Sequence, residues 1–194
     1  MFINLFHHAL SIQESQTTSA CLTSGENCTS IQLNDDDYEE KSTSNIFIAS
    51  LLSMFHWNEP FGVYSSNGMP KSLTKESCFT IVCNLSRSGQ TGTHFITIIR
   101  RNNVMLYLDP LALYIELNQD INNFIADCAV AEVVKMEKAI QPMESWKCGY
   151  YCALLALHFN PNASVNNVEK FSATNLKRND CIVVNNIAKY ISQN

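Results

Sequence analysis

Several absences narrow the field before any motif is weighed. The chain has eight cysteines and five histidines, yet no cysteine pair stands at C-x-x-C spacing and no histidine pair at H-x-x-x-H spacing, which argues against a zinc site. No apolar run approaches the length needed to cross a bilayer, and no internal repeat is visible. The opening "MFINLFHHAL" is apolar, but it is short, lacks a basic region and runs into polar sequence, so it does not read as a secretory signal. A disulfide framework is therefore not expected, and most of the thiols should be reduced and intracellular. Lysine and arginine are missing from residues 1–40, which hold seven acids: Glu14, Glu26, Asp35, Asp36, Asp37, Glu39 and Glu40. The remainder has eleven acids against thirteen bases, so the net charge of −5 conceals a mildly basic body of +2 behind an acidic arm. The arm, rich in Ser, Thr, Asn and Asp, is expected to form a flexible acidic segment over 1–44. Residues 45–194 are expected to form a single domain, long and apolar enough to bury one core.

The pattern becomes globular at Asn45. "NIFIASLLSMFHW" reads as a short helix capped by Ser44 or Asn45. "EPFGVYSSNGMP" reads as strand or loop, and Cys78 to Leu85 as a strand. "THFITIIRRNNVMLYLDPL" contains two β-rich runs around Asn102-Asn103, a pair that tolerates the positive φ of a tight hairpin turn. Closing the turn there pairs Arg101 with Val104, Ile99 with Leu106 and Ile96 with Asp109, which leaves His94 one diagonal step from Asp109, within side-chain reach. "LNQDINNFIADCAVAEVV" reads as a helix running into a strand. Pro142 breaks the pattern and pushes Gln141 towards an extended conformation. Cys148 then opens a helix whose apolar residues cover more than one face, which argues for a central position. "NDCIVVNNIAKYI" reads as a further helix.

Cys148 stands where polar sequence gives way to apolar. A free cysteine packs as a small hydrophobe, but at a helix N-terminus its thiolate is favoured and it becomes a nucleophile. Thiol catalysis also needs an imidazole to share the proton, a group to orient that imidazole, and donors for the developing oxyanion. The candidates occur in the order His94, Asp109, Gln141, Cys148. Gln141 and the backbone N–H of Cys148 are the candidate oxyanion donors, Gly149 leaves space beside the thiol, and Lys147 can add positive potential. Each residue also has an ordinary reading: a strand histidine, a turn-forming Asp-Pro and a packed thiol. Cys152, one helical turn on, reads as packing. Trp146 reads equally as core anchor or groove rim.

The blocks "TGTHFITII", "YLDPLAL" and "IQPMESWKCGYYC" resemble the catalytic blocks of the adenovirus-type cysteine proteases (adenain), whose wider group includes the SUMO- and NEDD8-specific proteases. That group has the order His, Asp or Glu, Gln, Cys, opposite to papain, and the seven-residue step from Gln141 to Cys148 is closer to the adenovirus branch. The resemblance covers roughly Pro60 to Phe159. It implies an α+β fold, papain-like with permuted chain order, in which a mixed β-sheet packs on a central helix bearing the cysteine. It implies His94 as general base, Asp109 as its orienting acid, Gln141 as oxyanion donor and Cys148 as nucleophile. The implied activity is that of a thiol endopeptidase cutting viral or virus-like precursor polypeptides at Gly-containing sites. Such an enzyme would be a monomer in the host nucleus or cytoplasm, or packaged in virions, with no cofactor for the chemistry. The family's activating viral peptide is disulfide-linked to a cysteine between the acid and the glutamine, the interval in which Cys128 falls, although Cys128 reads first as a buried core thiol. Phe95 departs from the family's tryptophan and Lys147 from its small or acidic residue. The adenovirus enzyme is strongly basic and uses DNA, whereas here strong DNA binding is not expected. A protease processing or deconjugating a ubiquitin-like protein, an acyltransferase, and a catalytically inactive viral structural protein are the alternatives.

Overall fold

Ser44 supplies the first helix cap: its Oγ accepts from the Phe47 N–H at 3.1 Å and starts α1 (Asn45–Ser53). The computed structural model describes residues 44–113 and 118–193. The acidic segment expected over 1–44 lies, apart from Ser44, outside the described residues. After α1 come β1 (Phe61–Ser65), a short 3₁₀ helix (Lys71–Lys75), β2 (Cys78–Asn84), β3 (Phe95–Arg101) and β4 (Val104–Leu108). Then follow α2 (Gln119–Asp127), β5 (Glu132–Lys135), α3 (Cys148–His158) and α4 (Leu176–Gln193).

The strands form one mixed sheet in the order β1-β2-β3-β4-β5. The central three are antiparallel, while β1 joins β2 and β5 joins β4 in parallel. The fold is therefore α+β with a mixed sheet. The β3–β4 hairpin closes at Asn102, whose φ of 55° is the left-handed conformation that asparagine tolerates. Its register, Arg101 with Val104 and Ile99 with Leu106, is the one the turn residues predict. The 3₁₀ turn and the parallel pairing of β1 are not apparent from the chain's periodicity.

Both faces of the sheet are covered, which is why its inner strands read as nearly continuous apolar runs. Val82, Phe95, Ile99, Leu106 and Leu108 pack with α1, α3 and α4. Phe79, Ile81, Ile96, Ile98, Met105 and Tyr107 pack on the opposite face with Ile121, Phe124 and Ile125 of α2 and with Leu73. Helix α3 lies against the first face, buried along nearly its whole length from Cys148 to Leu157. Thr97 docks it to β3, donating its buried Oγ–H to the Cys152 carbonyl at 2.9 Å. No described helix is long and apolar enough to cross a membrane.

Candidate active site

His94 lies one residue before β3 and Asp109 one residue after β4, at the open end of the hairpin. Side-chain alternation along β3 and β4 would turn both towards the α2 face. Beyond the ladder they escape that constraint. His94 Nε2 donates to Asp109 Oδ1 at 2.7 Å, with both side chains buried. The carboxylate is itself clamped: Oδ1 also accepts from the Leu111 N–H at 2.9 Å, and Oδ2 from the Leu113 N–H at 3.2 Å. This Asx-type turn depends on Asp109 and on a left-handed Ala112 at φ 53°. On the other side of the site, the Leu85 N–H donates to the His94 carbonyl at 2.9 Å, and Ser86 and Thr93 join their hydroxyls at 3.0 Å across the loop.

Nε2 is committed to Asp109, and the Cys148 thiol lies close enough to the imidazole to act on its ionisation. Burial works to lower the His94 pKa, but the hydrogen bonds to Asp109 and Cys148 and the charges on both outweigh it and raise it from 6.5 to about 9. The imidazolium is thus the favoured form at neutral pH.

Cys148 is the first residue of α3, where the backbone N–H groups have no partner within the helix. A side-chain cap would ordinarily take one of them, but the cap position is Lys147, which makes no such bond. Its ammonium instead lies 4.4 Å above the Trp146 ring and 3.9 Å from Asp180. Trp146 is half-buried and meets Tyr150 edge-on at 6.0 Å.

Gln141 is brought to the same end of the sheet by the Asp-Pro turn. The Pro110 carbonyl accepts both the Ile140 N–H at 2.9 Å and the Gln141 N–H at 3.0 Å, which ties the acid's turn to the glutamine's segment. The Gln141 side chain is 1% exposed and donates from Nε2 to the Ser145 carbonyl at 2.7 Å, while its Oε1 has no partner. That amide N–H fixes the Gln141–Cys148 turn.

The chain order His94, Asp109, Gln141, Cys148 thus becomes a contiguous arrangement around one end of the sheet. It can share a proton between a thiol and an oriented imidazole. Phe95 is 3% exposed and sits in the core with α3, in the same cluster as Cys148. Cys152 is fully buried, and burial raises its thiol well above the usual range, so packing is its role. Cys128 is 2% exposed in the α2-side core, with its thiol raised by burial and partly lowered by Arg100. Among the described residues no group of three His, Cys, Asp or Glu side chains is placed to hold a metal ion.

Sequence reading missed the contribution of α4. Asn179 and Asn186 are buried on the same stripe as Ile182, Val183, Ile187 and Tyr190. A polar side chain on an apolar stripe must find partners, and that pattern was a usable signal. Asn179 donates to the carbonyls of Ile140 at 2.8 Å and Ser172 at 3.0 Å, and accepts from the Ser172 N–H at 2.7 Å. A scan against protein-family models finds none that matches the chain, and a search of curated proteins likewise returns no match.

Proposed function

We propose that the protein is a thiol endopeptidase. Cys148 is the nucleophile, His94 the proton carrier, Asp109 its orienting acid, and Gln141 with the Cys148 N–H the oxyanion donors. The observation that carries this reading is a buried imidazole bonded to a carboxylate at 2.7 Å and set beside a thiol at an uncapped helix start. The fold belonging to this reading is papain-like with permuted chain order.

In the first step the Cys148 sulfur attacks the scissile carbonyl carbon, and the carbonyl π electrons move to oxygen. That oxyanion lies against the Cys148 N–H and the remaining N–H of Gln141. The C–N bond then breaks, the imidazolium of His94 gives its proton to the departing amine nitrogen, and an acyl-thiol remains. In the second step water attacks the acyl carbon and gives a proton to His94, and the C–S bond breaks to release acid and thiolate. Asp109 keeps the imidazole aligned through both steps.

The resemblance of residues Pro60 to Phe159 to the adenain blocks supports the substrate class: precursor polypeptides of a virus or virus-like element, cut at Gly-containing sites. The test is an electrophilic peptide ending in Gly-Gly, together with hydrolysis of a matched fluorogenic peptide. The probe should label Cys148 in the wild type. Cys148→Ser and His94→Ala should each abolish hydrolysis while melting cooperatively, because a thiol and imidazole acting as one unit are each indispensable. Residual activity above about 5% in Cys148→Ser would overturn the assignment.

A further inference from the structure

The eight residues from Gln141 to Cys148 carry both oxyanion donors of the proposed endopeptidase, and two consecutive residues of α4 hold that segment at its two ends. Asn179 holds the beginning through the Ile140 carbonyl at 2.8 Å. Asp180 holds the end. Its Oδ1 accepts from Ser145 Oγ at 2.8 Å and from Tyr151 Oη at 2.9 Å, while Oδ2 lies 3.9 Å from Lys147 Nζ. Ser145 comes three residues before the thiol and Tyr151 three after it, so one carboxylate oxygen spans the nucleophile from the turn to the first helical turn.

The consequence is directional. Donating to Asp180 fixes the Ser145 hydroxyl proton, which leaves the oxygen to accept the Lys147 N–H at 3.2 Å. The next backbone N–H is that of Cys148. The carbonyl of the same Ser145 receives Gln141 Nε2 at 2.7 Å. Ser145 therefore orients both donors, and Asp180 orients Ser145 through a hydrogen bond strengthened by its charge. We propose that Asp180 is a positioning residue for the oxyanion site, which makes the C-terminal helix α4 part of the catalytic apparatus. The proposal rests on the endopeptidase reading.

Peptide hydrolysis needs the oxyanion site, whereas alkylation of Cys148 by iodoacetamide is a displacement at saturated carbon and does not. Wild type, Asp180→Asn, Asp180→Ala and Ser145→Ala are compared for kcat and KM on a fluorogenic peptide, for the alkylation rate of Cys148, and for thermal melting. Asp180→Ala should lose about tenfold to hundredfold in kcat, the range expected of small misplacements. KM should stay within about threefold and alkylation within about twofold, since the loss falls on the transition state. Asp180→Asn should recover to within about threefold of wild type, because its amide oxygen still accepts both hydroxyls. Ser145→Ala should follow Asp180→Ala, and carries the test if Asp180→Ala does not fold. Undiminished kcat in Asp180→Ala or Ser145→Ala would overturn the proposal. So would Asp180→Asn falling as far as Asp180→Ala, or alkylation falling in step with kcat. A wild type that is alkylated at Cys148 but hydrolyses no peptide would instead refute the endopeptidase reading, and this inference with it.

Discussion

His94 sits beside a carboxylate and a thiol in a buried site, and burial and those two neighbours together set its ionisation. Its pKa is raised from 6.5 to about 9, so the proton needed by the departing amine is retained through neutral pH. The sign follows from linkage: the stabilisation that His94 gains from its partners is fully present below its ordinary value and is lost as pH rises through about 9. The alkaline limb of kcat/KM should therefore fall near pH 9 rather than near 6.5, and a rate profile from pH 6 to 10.5 measures it. Asp109→Ala removes the foremost raising influence, so the limb should move downward and turnover should slow. An unmoved limb would mean that another group carries it. At Gln141 the expected effect lies on kcat. Gln141→Ala removes an amide donor, and kcat should drop by about a hundredfold or more with KM little changed. Equal rates for the two proteins on a small substrate would move the oxyanion site elsewhere.

At the scale of elements, catalytic geometry depends on how a hairpin and a helix are joined. The hairpin holds His94 and Asp109 at its open end, while α3 presents Cys148 at its N-terminus, and Thr97 is the buried polar bond between β3 and α3. The Pro110 carbonyl makes a second junction by accepting the N–H groups of Ile140 and Gln141. Thr97→Val keeps the volume and the strand preference but deletes the donor. The Cys152 carbonyl keeps its place in the helix, so the cost should be about 1 kcal/mol of stability, the usual net worth of one hydrogen bond. Denaturant unfolding with an unchanged slope checks it. No loss of stability would show that apolar packing alone sets the sheet-to-helix contact.

For the whole molecule the governing quantity is charge and its distribution. Arg87, Arg100 and Arg101 are close enough in sequence to suggest a basic patch, but each is engaged separately. Arg87 pairs with Asp120 at 2.8 Å, and Arg101 with Glu59 at 2.9 Å. Arg100 is buried and donates to the carbonyls of Thr74 and Asn102. With a body of +2 behind an arm of −7, the protein has little means of neutralising several phosphates. Duplex DNA should change the peptidase rate by less than about twofold at physiological ionic strength, where exposed charges are screened within roughly 8 Å. Removing residues 1–40 should raise any DNA affinity, because the acidic arm no longer competes for basic groups. Peptide hydrolysis by full-length and truncated protein across a salt series tests both statements. A large, salt-sensitive stimulation of the full-length chain would refute the first.

Local interactions made much of this legible in the residues themselves. Ser44 caps α1, Asn102 turns the hairpin, and a two-residue turn leaves only one register that brings His94 and Asp109 together, because strand pairing is set from its turn outward. The apolar start at Cys148 likewise marked a central helix. Contacts distant in sequence were not legible. Nothing in β1 specifies that it runs parallel to β2, since that pairing depends on a crossover and on apolar cover for both faces. Alternation along the strands pointed His94 and Asp109 away from α3, and only beyond the end of the ladder does His94 come beside Cys148. Asn179 and Asp180 lie more than thirty residues beyond Ser145 and Ile140, and their hydrogen bonds exist only because packing α4 on α3 brings them there. Short-range propensity can nominate a nucleophile, its base and its acid. The groups that hold them in register are selected by burial, which forces each enclosed polar atom to find a partner wherever the fold supplies one.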